Sequence, residues 1–201
     1  VQGEVFDYPE EFFKEKVHTI RRPRPDDYQI KQAVEIIKKS KNPIIISGGG
    51  VFYSDAMKEL LKFVGHTNIP LSMTLLGIGG FPASHPLNLG MMGMHGEAWV
   101  NTAIQEADLL LAFGMRFDDR VTGNLSKFAA KAKVIHLDID AAEIGKRKPA
   151  KASLVADLKT SLPQLDCFVT PDEWLTHIES MMKEHAWRYD YPGEKVFAPY
   201  F

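Results

Sequence analysis

Leu109–Phe113 reads LLLAF and runs straight into Gly114–Val121, GMRFDDRV. Five apolar residues in a row do not suit a strand with one wet face, which alternates. They suit a strand covered on both faces, as in a parallel sheet flanked by helices. Four charges then fall within the five residues Arg116–Arg120. A polar turn therefore stands at the carboxyl end of a buried strand.

The same alternation extends in both directions. Upstream, Pro43–Ser47 (PIIIS) is a short β-branched run closed by Gly48-Gly49-Gly50, and Ile69–Thr74 is a second strand. Downstream, Val134–Asp138 (VIHLD) is a fourth strand and Ser153–Val155 a weak fifth. Helical spacing fills the gaps. Residues 26–39 carry Ile30, Ala33, Val34 and Ile37 in phase behind a capping Asp26. Ser54 is expected to cap a helix burying Met57, Leu60, Leu61 and Val64. Glu97–Ala107 places Val100, Ala103, Ile104 and Ala107 on one face. Ala141–Gly145 reads as one helical turn and Asp157–Gln164 as a short helix. Gly77–Gly96 reads as a long loop. Thr170-Pro171-Asp172-Glu173 has the form of a capped helix start, with Trp174, Ile178, Met181 and Met182 as its stripe and an end near Trp187. Strands alternating with helices predict an α/β, Rossmann-like, doubly wound parallel sheet. Residues 1–25 read as a linker or arm, 26–165 as the domain, and 166–201 as a helix and linker toward a further domain. The aromatic tail with Tyr189, Tyr191, Phe197, Tyr200 and Phe201 reads as a segment made to pack on something else.

Composition removes several function classes. With 201 residues, 45% hydrophobic, the chain has enough apolar content for one sizeable core. Net charge is −2, and the short basic clusters Arg21, Arg22, Arg24 and Lys146, Arg147, Lys148 read as solvated surface. No nucleic-acid face is expected. A single cysteine, Cys167, precludes an intrachain disulfide and fits a reducing compartment. No His or Asn constellation marks Cys167 as a nucleophile. No apolar run approaches the roughly 18 residues of a membrane span. His18, His66, His85, His177 and His185 show no metal-ligand spacing. The start at Val1, without Met, reads as a processed or excised piece.

Ligands of open parallel sheets bind at the carboxyl ends of the strands. At those ends stand Gly48, Gly49 and Gly50, whose backbone suits close approach to a phosphate or a plain tight turn. The full dinucleotide fingerprint is missing, because Tyr53 occupies its third glycine position. Arg116 and Arg120 offer forked donors for phosphate or carboxylate, or pair with Asp118 and Asp119. Asp138-Ile139-Asp140 ends the fourth predicted strand where nucleotide folds bind a ribose, and Asp140 is equally placed to cap a helix. Gly90–Gly96 (GMMGMHG) is a soft loop able to lie against a flat ligand. Within it His95 reads as a structural histidine by composition; His136 reads as core.

Leu89–Gly96 (LGMMGMHG), Gly114–Val121 (GMRFDDRV) and His136–Gly145 (HLDIDAAEIG), with Gly48–Gly50 and Leu75–Phe81, together resemble acetolactate synthase large subunits over residues 26–165. The resemblance implies the middle, FAD-binding domain of a thiamine-diphosphate enzyme. The whole enzyme of that family joins two pyruvates, or pyruvate and 2-oxobutyrate, at the start of branched-chain amino-acid synthesis. It implies cofactor contacts in His95–Arg116 and Asp138–Asp157, with Gly48, Gly49, Gly50, Thr74, Leu75, Met92, Gly93, Met94, Gly114, Asp118, Arg120, Val121, Ile139 and Asp157 at the same site. Arg120, Met94 and Asp119 are implied near the second substrate. His95 moves from bystander to cofactor neighbour. Thiamine diphosphate and Mg²⁺ are implied only for the full enzyme, because the Gly-Asp-Gly metal-diphosphate signature is absent here. The resemblance further implies packing on the other domains of a large subunit, a homodimer or tetramer, and a regulatory small subunit. The compartment would be the cytoplasm in a prokaryote, or a plastid or mitochondrion in a eukaryote. Two departures bear on the pocket: Ala156 adds a methyl where relatives have Gly, and Met115 enlarges the wall. The competing reading is the middle domain of another thiamine-diphosphate enzyme, a decarboxylase or oxidase, binding a different nucleotide or none.

Overall fold

The computed structural model describes residue 3 and residues 5–186; the aromatic tail lies outside the described residues. Within them six strands form one parallel sheet: β1 (Pro43–Ser47), β2 (Leu71–Met73), β3 (Asn88–Met91), β4 (Leu109–Phe113), β5 (Lys133–Asp138) and β6 (Ala152–Val155). Their order is β3-β2-β1-β4-β5-β6. This is the order of two mononucleotide-binding halves joined at β1 and β4, with the switch point between those strands. Both central strands are wholly buried, as their unbroken apolar runs require.

Helices α1 (Asp27–Lys38) and α3 (Met57–Thr67) pack on one face, where Ala33, Ile37, Leu60 and Val64 meet Ile45, Leu71, Leu109 and Leu111. On the other face α4 (Ala98–Glu106) and α7 (Asp172–Glu184) bring Val100, Ile104, Trp174 and Ile178 against Ile44, Ile46 and Leu110. The odd and even residues of β1 thus feed two separate cores, the signature of a sheet covered twice. Asp26 caps α1 in a reciprocal box with Gln29. Three four-residue helices, α2 (Gly50–Tyr53), α5 (Asp119–Thr122) and α6 (Leu158–Ser161), each follow a strand.

Several expectations are corrected. Ser54 closes α2 instead of capping α3, whose start at Met57 has no side-chain cap. Met57 and Leu61 are exposed and Phe63 takes their place in the core. The predicted loop Gly77–Gly96 contains β3. Asn88-Leu-Gly-Met shows no apolar run, and it becomes a strand by pairing at the sheet edge across a register shift beside Leu71. Residues 141–145 form turns without a helix. Helix α7 begins at Asp172 without a side-chain cap and ends at Glu184. It is an integral wall of the domain: Trp174 is 3% exposed and its indole N–H donates to the Pro43 carbonyl at 3.1 Å.

Candidate functional site: a cleft at the carboxyl edge of the sheet

The turns that leave β1 and β4 must pass each other at the switch point. Gly50 and Gly114 make this possible. The Gly50 N–H donates to the Gly114 carbonyl at 2.9 Å, and the Gly48 N–H to the Phe113 carbonyl at 2.9 Å. Two of the three N–H groups of the glycine run therefore hold the turns together. The run serves close packing first and leaves less backbone for a phosphate than the sequence suggested.

Above this junction opens a cavity of about 1160 Å³. Every strand contributes to its wall. Gly49 and Gly50 follow β1, Thr74 and Leu75 follow β2, and Met92, Met94 and His95 follow β3. Gly114, Met115, Arg116, Asp118, Arg120 and Val121 follow β4. Asp138 ends β5, Ile139 follows it, and Ala156 follows β6. The expected ligand-facing residues thus converge, with four exceptions. Gly48 lies beneath the turn, where a Cβ would come within 2.3 Å of the Gly114 carbonyl oxygen. Asp157 is turned into the protein, where it caps α6 through Lys159 N–H and pairs with Arg22 at 2.6 Å. Gly93 and Asp119 line a second, smaller cavity of about 290 Å³. Met94, Arg120 and Val121 border both spaces and form the partition between them.

The loop after β3 is held more firmly than its composition suggested. Asn101, on α4, brackets Gly93: its side-chain oxygen accepts from the Gly93 N–H and its amide donates to the Gly93 carbonyl, each at 2.9 Å. Met94 N–H donates to the Arg120 carbonyl at 2.9 Å, stitching this loop to the one after β4. Gly93 has φ +99, and a Cβ there would meet the Arg120 carbonyl oxygen at 2.8 Å.

The charged turn after β4 is part ligand-facing, part self-paired. One carboxylate oxygen of Asp118 accepts from the backbone N–H groups of Arg120 and Val121, capping α5. The other lies 3.6 Å from Arg116 Nε. Arg116 remains mostly exposed, so its fork is available. At β5, desolvation pushes the Asp138 carboxyl above its ordinary range, opposed by the Asp140 N–H. His136 is fully buried, and its Nε2 lies 2.9 Å from the Met115 carbonyl oxygen. A carbonyl only accepts, so Nε2 carries the proton. Desolvation holds the ring below its usual pKa. Cys167 is buried, its thiol pushed up to about 11 by desolvation, and takes no part in the site.

Sequence reasoning missed Arg22, Ile20 and Tyr53 in the cavity wall; Glu143 falls within the implied Asp138–Asp157 stretch but was not singled out. Arg22 was read as solvated surface, and no spacing could signal its contact with Asp157 from 135 positions away. Met115 and Ala156, the two departures, both border the cavity while remaining packed in the core. Among the described residues no cluster of His, Cys, Asp and Glu is arranged for a metal ion. No helix there is long and apolar enough to cross a membrane.

A parallel sheet in dinucleotide-fold order, with one cleft fed by every strand, defines a nucleotide-type α/β domain. The chain belongs to the thiamine pyrophosphate enzyme central-domain family, which matches residues 30–165. Within that family it is similar to acetolactate synthases. It is 44% identical over 171 residues to the isozyme 2 large subunit of Escherichia coli K12, covering 85% of this chain and 31% of that protein. It is 43% identical over 175 residues to the chloroplastic acetolactate synthase 2 of Nicotiana tabacum, covering 87% and 26%. It is 42% identical over 185 residues to the large subunit of Corynebacterium glutamicum, covering 88% and 30%. The chain thus spans about a third or less of the length of these relatives.

Proposed function

We propose that this domain binds FAD in the large cleft, as the middle part of an acetolactate synthase whose thiamine-diphosphate chemistry resides in other domains. The observation that carries the reading is the composition of one continuous wall. Met91, Met92, Met94, Leu75, Leu76 and Ile139 offer apolar, deformable surface for flat rings. Arg22, Arg116 and Arg120 supply cations for a diphosphate. Asp138 and Glu143 supply acceptors for hydroxyls. At about 1160 Å³ the cleft exceeds the roughly 300–1,000 Å³ usual for small ligands and suits a dinucleotide. The donor set therefore fits FAD. Bound there, FAD would serve as a fixed scaffold for the site; the residues of this chain bind and orient it.

The neighbouring small cavity supports a second element of the reading. Met94, Asp119 and Arg120, the three residues implied near the second 2-oxo acid, share it. The Arg120 guanidinium at the partition is suited to a substrate carboxylate. In the whole enzyme the product would be acetolactate or its 2-oxobutyrate-derived homologue, feeding branched-chain amino-acid synthesis, with Mg²⁺ and thiamine diphosphate held elsewhere. Residues 1–25 and 166–201, the latter with its helix α7 packed on this domain, would lead toward the other domains, in an assembly of large subunits with a regulatory partner.

Titrating the 201-residue chain into FAD tests the central claim. Quenching of flavin fluorescence is expected, with a rise in melting temperature. A ligand bound only by the folded state adds about 2.7 kcal/mol at a hundredfold excess over its Kd. Unchanged fluorescence and melting at millimolar FAD would refute it.

A further inference from the structure

The arm preceding the domain is fixed to the cleft at one place, and the fixation is specific. Arg22 Nη1 donates to Asp157 Oδ2 at 2.6 Å, and its Nη2 donates to the Tyr53 carbonyl at 3.0 Å. The Asp157 N–H in turn donates to the Pro23 carbonyl at 2.9 Å. Asp157 is 2% exposed, and its carboxylate is met by the Arg22 guanidinium on one oxygen and the Lys159 N–H on the other. Breaking a buried pair from one side leaves an uncompensated charge. Residues 20–23 therefore bridge the end of α2 and the start of α6, and Ile20 and Arg22 form part of the cavity wall. Beyond this point Pro25 is buried, while the arm before Ile20 is exposed throughout the described residues. The segment is anchored on one side, latched at Arg22, and free on the other.

Of the three arginines facing the cavity, Arg22 is the one held by both arms of its fork. Arg116 stands 3.6 Å from its carboxylate partner, and among the described residues the Arg120 guanidinium reaches the Met94 sulfur at 3.9 Å. A cation already held in place loses little freedom when an anion arrives.

We propose that residues 20–23 are a strap across the cleft, latched by the Arg22–Asp157 pair, and that release of this latch limits dinucleotide exchange. Arg22 then binds the diphosphate, and Asp157 is the positioning residue that acts through it. The proposal rests on the FAD reading above.

The test is the rate of FAD release from the 201-residue chain, followed by recovery of flavin fluorescence in the presence of a trap. Arg22→Gln, Asp157→Asn and the double variant are compared with the parent. Asparagine keeps the oxygen that caps α6, and the double variant leaves no buried charge unpaired, so both are expected to fold. Each single variant should release FAD at least tenfold faster, and the double variant no faster than the singles, because the pair acts as a unit. FAD should slow hydrogen exchange at the non-proline amides of residues 20–24 in the parent and fail to do so in Asp157→Asn. Release rates within twofold of the parent would overturn the strap while leaving FAD binding intact. A parent chain that does not bind FAD would overturn both.

Discussion

Gly50 and Gly114 stand in backbone contact where the turns after β1 and β4 cross: a Cβ on Gly114 would lie 2.6 Å from the Gly50 Cα. Gly114 also has φ +57, a conformation that costs an L residue roughly 1–2 kcal/mol. The opposing atom is backbone and has nowhere to move. Gly114→Ala is therefore expected to lose about 2–4 kcal/mol in urea unfolding. A loss below about 1 kcal/mol would show that the two turns are free to part.

Asp138 illustrates a cost placed at a binding edge. Its carboxyl is raised above the ordinary 3.8 chiefly by desolvation. The folded state holds this proton to higher pH than the unfolded state does. The group's contribution to stability is thus lost as pH rises through its folded value. At neutral pH Asp138→Asn should raise the melting temperature of the ligand-free chain by about 1–3 °C and shrink the shift caused by FAD. A lower melting temperature without ligand would contradict this account.

His136 has the opposite sign. Its pKa is lowered from 6.5 mainly by burial, and its Nδ1 has no hydrogen-bond partner among the described residues. Below pH 6.5 the unfolded chain takes up a proton that the folded chain refuses, so stability falls as pH drops from there toward the folded value. The slope from one such group reaches at most about 1.4 kcal/mol per pH unit. Chemical denaturation from pH 7 to 5 should show this slope in the parent and a shallower one in His136→Phe, whatever the variant's absolute stability.

Trp174 ties α7 to the sheet through the Pro43 carbonyl and lies in the core with Ile44 and Ile46. Trp174→Ala should cost about 3–5 kcal/mol. A chain ended at residue 165 should expose this face and aggregate; a soluble, cooperatively melting 1–165 fragment would show α7 to be dispensable.

The chain by itself should make no acetolactate from pyruvate with thiamine diphosphate, Mg²⁺ and FAD supplied. It carries no Gly-Asp-Gly diphosphate signature. Product above background in a colorimetric assay would refute this.

The buried strands were legible because local sequence carries their cause. PIIIS and LLLAF cannot be satisfied with a wet face, and VIHLD reads the same way despite its histidine. Strand β3 was not legible: Asn88 and Gly90 have poor strand propensity, and only the free edge of β2 makes that segment extended. Ser54 looked like a cap because its residue type suits one, yet the chain turns at Asp55 with φ 51 and the hydroxyl falls at the wrong end.

The pattern of apolar runs and helical stripes was enough for the parallel, doubly wound architecture, since burial on two faces leaves that pattern few alternatives. The charged turn after β4 was equally plain in the chain. Only the folded molecule decided which charges face the cleft: Asp157 was drawn inward by Arg22, Asp119 was set in the smaller cavity, and the arm was brought onto the wall. The Arg22–Asp157 contact joins residues 135 positions apart, and Asp119 is set by loops that meet only once the sheet has formed; local sequence holds no record of either.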